Sequence, residues 1–206
     1  MMIGRAGAQL KASVAKIAEF ASDRRAVAAL EFALIAPLLL SMYFVTMEVA
    51  QGIETNKKVG RVGSMVADLV TQQQETSEAE LNAILAIGKA TLQPYNRSEP
   101  TITITAIEIT DEAAPKVKVV WSRKLENGLF GDGPAKESIT TVPPALEIKG
   151  SFLIRVESAL EYEPVITWTA DNKTSLGLSA SFDGITMDET YHLRPRMSQS
   201  VACDDC

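Results

Sequence analysis

The chain has 206 residues, enough for one ordinary domain with a buried core plus an appendage. Its 20 Lys and Arg against 26 Asp and Glu give a formal charge of −6. That sign is wrong for a protein whose affinity must come from neutralising phosphates, so we expect no nucleic-acid partner. Residues 1–50 carry five basic and four acidic side chains, whereas residues 51–206 carry 15 and 22, so the acidic part is the part expected to be soluble.

The first predicted element is a membrane-spanning helix. Residues 32–47 contain no charge, and the run becomes 22 residues long, from 26 to 47, if Glu31 is included. At about 1.5 Å per residue the longer run spans roughly 33 Å, close to the hydrocarbon thickness of a bilayer. A core helix of a soluble domain is the alternative, but it would have a polar face, which this run lacks. A cleaved secretory signal is the second alternative, but its apolar region is usually only about 7–15 residues long. A signal peptidase site after Ala50 would also need a small residue at position −3, where this chain has Glu48.

The orientation of this helix follows from charge and from the cysteines. Five basic residues precede the apolar run, and three, Lys57, Lys58 and Arg61, follow it closely. Because Arg24 and Arg25 directly precede the run, the charges favour an N-terminus in the cytoplasm. The only cysteines, Cys203 and Cys206, favour a disulfide in an oxidising compartment, within the chain or to a partner. We therefore expect the C-terminal part to lie outside the cytoplasm.

Helical spacing continues beyond the apolar run. Residues 48–71 contain no Pro and have regularly spaced apolar positions, which predicts one rod of about 40 residues, half in lipid and half in water. Gly52, Gly60 and Gly63 weaken this helix but allow close packing. A second helix begins after Ser77, because Ser77 and Glu80 form a capping-box pattern, and it ends at Pro94.

From about residue 100 the pattern alternates, which predicts β-strands. The predicted strands are residues 101–105, 116–121 and 151–162, with a fourth at Ile185–Leu193. Residues 124–144 are rich in Gly and Pro and are expected to form a long loop. Trp121, Trp168 and Tyr162 lie in strand-like segments and are expected to pack in the core. The predicted fold class is α+β, with a long N-terminal helix followed by an antiparallel sheet.

Motifs for catalysis are missing from the sequence, so we expect no enzyme, no cofactor, no metal and no small-molecule substrate. A redox role for Cys203 and Cys206 is disfavoured, because Asp204 and Asp205 would raise the thiol pKa values. A zinc site would need further ligands, of which the single histidine, His192, is the nearest in sequence. Arg194 and Arg196 are candidates for an anion clamp, or for pairing with acidic groups of the same chain.

Glu31 is the most unusual residue of the apolar run. A carboxylate at the start of a membrane helix costs several kcal/mol unless it is paired, so by default it indicates function. A cation from the same or a neighbouring subunit could pair with Glu31. The alternative is a side chain that extends to the water interface beside Arg24 and Arg25.

The segment around Glu31 resembles a known family. Residues 24–40 read RRAVAALEFALIAPLLL, which is similar to the N-terminal signature of TadE/TadG-like pseudopilins of the bacterial tight-adherence (Flp-type) pilus system. Residues 191–198, YHLRPRMS, followed by the terminal cysteines, continue the resemblance. The resemblance implies cleavage by a prepilin peptidase between Ala26 and Val27, which makes Glu31 the fifth mature residue. The ammonium freed at Val27, of the same or a neighbouring subunit, could then pair with Glu31 and fix the register of assembly. Ala26 stands where the family usually has Gly, and Pro37 is expected to bend the helix.

Together these inferences predict a pilin-like organisation. The domains are a cytoplasmic leader at 1–25, a transmembrane helix at 26–50, a periplasmic helical region at 51–98 and a periplasmic β-rich domain at 99–206. The implied role is that of a minor pseudopilin or assembly subunit in the bacterial inner membrane. The implied partners are other minor pseudopilins, Tad inner-membrane assembly proteins and a prepilin peptidase. The alternatives are a periplasmic binding module for which the helix is only a tether, and a membrane-anchored hydrolase.

Overall fold

The computed structural model describes residues 24–165 and 185–206 of the chain. These residues fall into two compact units that divide between Val49 and Ala50. The helices are α1 (Arg24–Thr71) and α2 (Glu78–Thr91), and a 3₁₀ turn covers Pro144–Leu146. The strands are β1 (Glu75–Thr76), β2 (Thr101–Ile109), β3 (Val117–Glu126), β4 (Leu129–Gly131), β5 (Phe152–Tyr162), β6 (Ile185–Leu193) and β7 (Ala202–Cys203). Residues 1–23 of the predicted leader and Trp168 lie outside the described residues.

Helix α1 confirms the prediction of one long helix that begins before the apolar run and ends at Thr71. It has 48 residues and continues through Pro37. The bend expected at Pro37 stays a prediction. The burial of side chains changes along α1. The large apolar side chains before residue 50 are exposed, whereas several after it are buried.

The second half of α1 packs on one face of the sheet. Its buried positions recur at intervals of three and four residues, as a helix with one buried face requires: Val59, Val62, Val66 and Val70. Helix α2 adds a second set with the same periodicity: Leu81, Ile84 and Leu85. These side chains form one core cluster with β2, β3 and β5, including Ile104, Trp121 and Val156. The prediction that Trp121 and Tyr162 pack in the core is confirmed, since each is 2% exposed.

Helix α2 begins after Ser77, as the capping pattern of Ser77 and Glu80 predicted. The Glu80 amide donates to Ser77 Oγ at 3.3 Å, and the Ser77 amide donates to Glu80 Oε2 at 3.0 Å. These two bonds satisfy amides that have no partner within the helix. The helix ends with Leu92 as its C-cap, two residues before Pro94, which cannot continue it.

The main sheet has the strand order β4-β3-β2-β5-β6, and all its pairs are antiparallel. The antiparallel sheet is thus confirmed, with longer strands than predicted for β2 and β3. Residues 107, 109, 117 and 153 form a smaller cluster with Val142 and Leu146. Part of the segment after β4 therefore covers apolar side chains of the sheet.

The predicted loop at residues 124–144 is partly wrong. Strand β3 continues to Glu126 and returns through Asn127 and Gly128 into β4. Both turn residues have positive φ, 51° for Asn127 and 75° for Gly128. Asn-Gly is the dipeptide that best tolerates such a two-residue hairpin turn, so the physical reason for β4 is present in the sequence.

Close packing of α1 against the sheet depends on Gly63. A Cβ atom at this position would lie 2.8 Å from Cδ2 of Tyr191 and 3.0 Å from Oγ of Ser158. The Ser158 hydroxyl, in turn, donates to the backbone carbonyl of Val59 at 3.0 Å. Gly63 thus serves packing within the protein, as its small size predicted.

Candidate functional site

The first candidate site is the exposed apolar part of α1. Among the described residues, α1 is the one helix long and apolar enough to cross a membrane. Leu38, Leu39 and Leu40 are 60%, 59% and 56% exposed although they are consecutive. Consecutive helical residues point about 100° apart, so the apolar surface extends around most of the helix. Such a surface needs a cover of lipid or protein.

Polar side chains within this part of the helix bond to its own backbone. The Ser41 hydroxyl donates to the carbonyl of Leu38 at 2.8 Å, and the Thr46 hydroxyl donates to the carbonyl of Met42 at 2.8 Å. These bonds leave the side chains without a need for water. They therefore suit a helix with apolar surroundings.

Glu31 and the Ala26–Val27 bond both lie near the start of α1. The Glu31 side chain is exposed, and it makes no ion pair with the described part of the chain. The Ala26–Val27 bond lies in the first turn, where a helix frays most easily. Val27 and Glu31 are four residues apart, so they lie on nearly the same side of the helix.

The second candidate site is the C-terminal segment, residues 194–206, here called the clasp. Its backbone follows the end of α1 and the beginning of α2. The Arg196 amide donates to the carbonyl of Thr71 at 2.9 Å, and β7 pairs in parallel with β1. Val201 is 1% exposed, and its carbonyl accepts a hydrogen bond from Trp121 Nε1 at 2.8 Å. The clasp thus joins the connection between the two helices to the sheet.

Asp205 gives the clasp a direct role at α2. Its Oδ1 accepts a hydrogen bond from the backbone amide of Glu78, the first residue of α2, at 2.8 Å. An acidic side chain at this end of a helix is also favoured by the helix dipole. Asp205 therefore supplements the capping box of Ser77 and Glu80, although it is 127 residues away in sequence.

Cys203 and Cys206, which flank Asp205, are joined by a disulfide with Cα atoms 5.6 Å apart. Of the two alternatives that the sequence left open, a disulfide within the chain or to a partner, the structure has the one within the chain. The two cysteines and Asp205 form the one group of potential metal ligands found among the described residues, and their ligand atoms lie within 4.8 Å of one another. His192 is not part of this group, and the two sulfurs are bonded to each other. The arrangement favours a structural bridge.

Alkylation of the native protein tests the disulfide. Without reductant, we expect the intact mass to show no alkylated thiol, and after denaturation and reduction two alkylated thiols. The bridge closes a short loop, so its reduction should lower the free energy of unfolding only slightly. Two readily modified thiols in freshly isolated protein would contradict the bridge and weaken the argument that this part lies in an oxidising compartment.

Arg194 and Arg196 differ in their surroundings, which does not favour an anion clamp formed by both side chains. Arg196 forms an ion pair with Asp68 of α1, which confirms for this residue the alternative of pairing within the chain. Arg194 is exposed. The Arg196 side chain therefore adds an ion pair to the backbone hydrogen bond that holds the clasp to α1.

His192 lies in a polar row on the sheet. Strand register places Ser122, Thr105, Arg155 and His192 side by side across β3, β2, β5 and β6. Arg155 Nη1 donates to Thr140 Oγ1 at 3.0 Å, and its Nε lies 3.4 Å from Glu157 Oε2. Burial, and next the charge of Arg155, lower the pKa of His192 below 6.5, while Glu157 opposes this shift.

Stability should therefore fall in mild acid. Because the pKa of His192 is lowered in the folded state, the unfolded chain binds a proton at this residue first as the pH decreases. The contribution of His192 is complete above about pH 6.5 and is lost as the pH falls below that value. Urea unfolding of the detergent-solubilised chain should show a smaller decline between about pH 7 and 5 for His192→Gln than for the wild type. Parallel pH profiles for the two proteins would contradict this assignment.

Comparison of the chain with protein-family models, with curated proteins and with solved structures found no match.

Proposed function

We propose that the chain is a minor pseudopilin or assembly subunit of a Tad-type (Flp) pilus, with a structural and protein-interaction role rather than a catalytic one. The observation that carries the proposal is Glu31 at the start of an apolar helix whose side chains are exposed. If the chain is cut after Ala26, the new ammonium at Val27 and the Glu31 carboxylate are one helical turn apart. An ion pair between them, within or between subunits, would satisfy both charges in lipid.

In this proposal α1 anchors the chain in the bacterial inner membrane by a single pass. The N-terminus is cytoplasmic and the α+β unit, residues 50–206, is periplasmic. Arg24 and Arg25 before the apolar run and the Cys203–Cys206 bridge support this orientation. The partners are other minor pseudopilins and the Tad inner-membrane assembly proteins, which meet the chain in the membrane and in the periplasm.

N-terminal sequencing of the membrane-bound form tests the proposal. In cells that process their major pilin, we expect the chain to begin at Val27. Ala26→Gly should not slow this cleavage, because Gly adds no bulk where the peptidase approaches the backbone. Ala26→Phe should abolish cleavage because its ring occupies that space.

The matched control is Ala29→Phe, which adds the same ring on the other side of the cleaved bond. It should be cleaved far better than Ala26→Phe if residue 26 alone occupies the restricted position. An intact Met1 or Met2 on the wild-type chain in such cells would contradict processing. It would favour the alternative in which α1 is only a tether for a periplasmic binding module.

A further inference from the structure

The part of α1 that follows the apolar run carries an exposed row of three residues: Ile53, Lys57 and Arg61. They are spaced by four residues, so their side chains lie along nearly the same side of the helix, about 6 Å apart along its axis. Ile53 is 54% exposed, and Lys57 and Arg61 are exposed as well. This row, here called the basic row, therefore lies on a side of α1 that the sheet does not cover.

The two cations of the basic row are available for a partner. Within the described residues, neither the Lys57 nor the Arg61 side chain forms an ion pair or a hydrogen bond. Lys58 behaves differently: its Nζ lies 3.1 Å from Glu54 Oε1 and donates to the carbonyl of Gln93 at 2.8 Å. The nearest acid in sequence, Glu54, is thus already paired with Lys58. Lys57 and Arg61 keep two uncompensated charges on a part of the chain, residues 51–206, whose formal charge is −7.

Position along the helix indicates what these charges meet. A hydrocarbon layer of about 30 Å takes up roughly 20 helical residues, so a layer that begins at Glu31 ends near residue 51. Ile53 follows that limit directly, and Lys57 lies on the order of 9 Å beyond it. Arg61 lies about 15 Å beyond it. The phosphates of a bilayer lie in a layer of roughly 5–8 Å just outside the hydrocarbon, so Lys57 reaches them by extending its side chain back toward the membrane, and Arg61 reaches their outer edge with its side chain fully extended.

We propose that Lys57 and Arg61 bind the phosphate groups of anionic phospholipids at the outer surface of the membrane that α1 crosses. This inference rests on the membrane placement in the proposed function. Arg61 offers a planar set of donors that matches a phosphate, and Lys57 adds a second positive charge one turn earlier. The rest of residues 51–206 is acidic and would by itself be repelled by anionic lipid, so at this surface of the membrane the basic row sets the lipid preference.

Lipid selectivity of the full chain in vesicles tests the proposal. The chain is reconstituted in phosphatidylcholine vesicles that contain spin-labelled phosphatidylglycerol or spin-labelled phosphatidylcholine, and the protein-bound fraction of each label is measured. We expect the wild type to prefer phosphatidylglycerol by at least about fivefold, the effect of one basic residue at an anionic surface. About 0.5 M NaCl should reduce the preference, because it screens charges at this distance.

Substitution of the basic row should reduce the preference. Lys57→Gln/Arg61→Gln is expected to lower it by at least about fivefold, to the level that the basic residues before the apolar run maintain at the other surface. The matched control is Lys136→Gln/Lys149→Gln, which also removes two exposed positive charges but lies outside α1 and the clasp. The control should keep the wild-type preference.

Three outcomes would overturn the proposal. They are a wild type without selectivity, a basic-row variant that keeps the wild-type preference, and displacement of the lipid by excess inorganic phosphate at constant ionic strength. Insertion of α1 and processing after Ala26 are measured on the same preparations. Normal insertion and processing without lipid selectivity would contradict the lipid proposal alone, whereas a chain that fails to insert would contradict the membrane placement on which both proposals rest.

Discussion

Trp121→Ala is expected to lower the free energy of unfolding by about 3–5 kcal/mol, a large fraction of what a domain of this size possesses. Trp121 is 2% exposed and lies in the core cluster between the helices and the sheet. The substitution leaves a cavity and also removes the hydrogen bond from Nε1 to the buried carbonyl of Val201. We therefore expect the clasp to loosen together with the core. Urea unfolding followed by circular dichroism measures the change.

Trp121→Phe separates the two contributions. Phe keeps an aromatic ring in the core but cannot donate to Val201, so we expect a smaller loss of about 1–3 kcal/mol. Faster amide exchange in the clasp than in the rest of the domain should accompany it. A loss below about 1 kcal/mol for Trp121→Ala would show that this residue does not anchor the core.

The helices could be predicted because their signals are local. The Ser77 and Glu80 capping pair and Pro94 act on residues within about one turn, and the apolar run is one continuous segment of the chain. The structure places the capping bonds between those residues and ends α1 at Thr71, as expected. The four predicted strands were likewise visible from alternation, and Ile185–Leu193 has the predicted bounds.

Other features could not be predicted from pattern in the same way. Strands β1 and β7 have two residues each, too short for alternation to mark them, and they pair across more than 120 residues. The contact of Asp205 with the Glu78 amide is equally long-range, so no local sequence pattern could predict it. Strand β4 is different, because the Asn127-Gly128 turn was present in the sequence and could have indicated the hairpin.

The apolar part of α1 presents the reverse case, because its sequence is more informative than its contacts within the chain. The Glu31 side chain is exposed, and within the described residues it has no ion-pair partner. A single chain therefore offers no explanation for a carboxylate beside an apolar surface. The explanation must come from water at the interface, from a processed N-terminus or from another subunit. A neutral substitution of Glu31 distinguishes these possibilities.

Glu31→Gln is expected to abolish association with partner pseudopilins while leaving insertion and folding intact. In the proposed function the carboxylate pairs with an N-terminal ammonium, and removal of one partner leaves the other charge unpaired in lipid. Where the pair joins two subunits, breaking it costs about 3–5 kcal/mol, which weakens association by more than about a hundredfold. Residues 50–206 form a separate compact unit, so their fold should not depend on Glu31. Recovery of the partners from solubilised membranes, at equal expression, measures the effect.

Glu48→Gln is the matched control, since it removes the same charge from the same helix at the other end of the apolar run. It should retain its partners if the position of the charge matters, and lose them if any carboxylate on α1 suffices. An interfacial Glu31 that extends to water predicts a different result. Its neutral variant would insert more easily, by at most about 3 kcal/mol, with partner recovery unchanged. Unchanged recovery for Glu31→Gln would therefore contradict the ion pair and leave the pseudopilin proposal without its physical support, because a register contact that can be removed without loss is not what holds the subunits together.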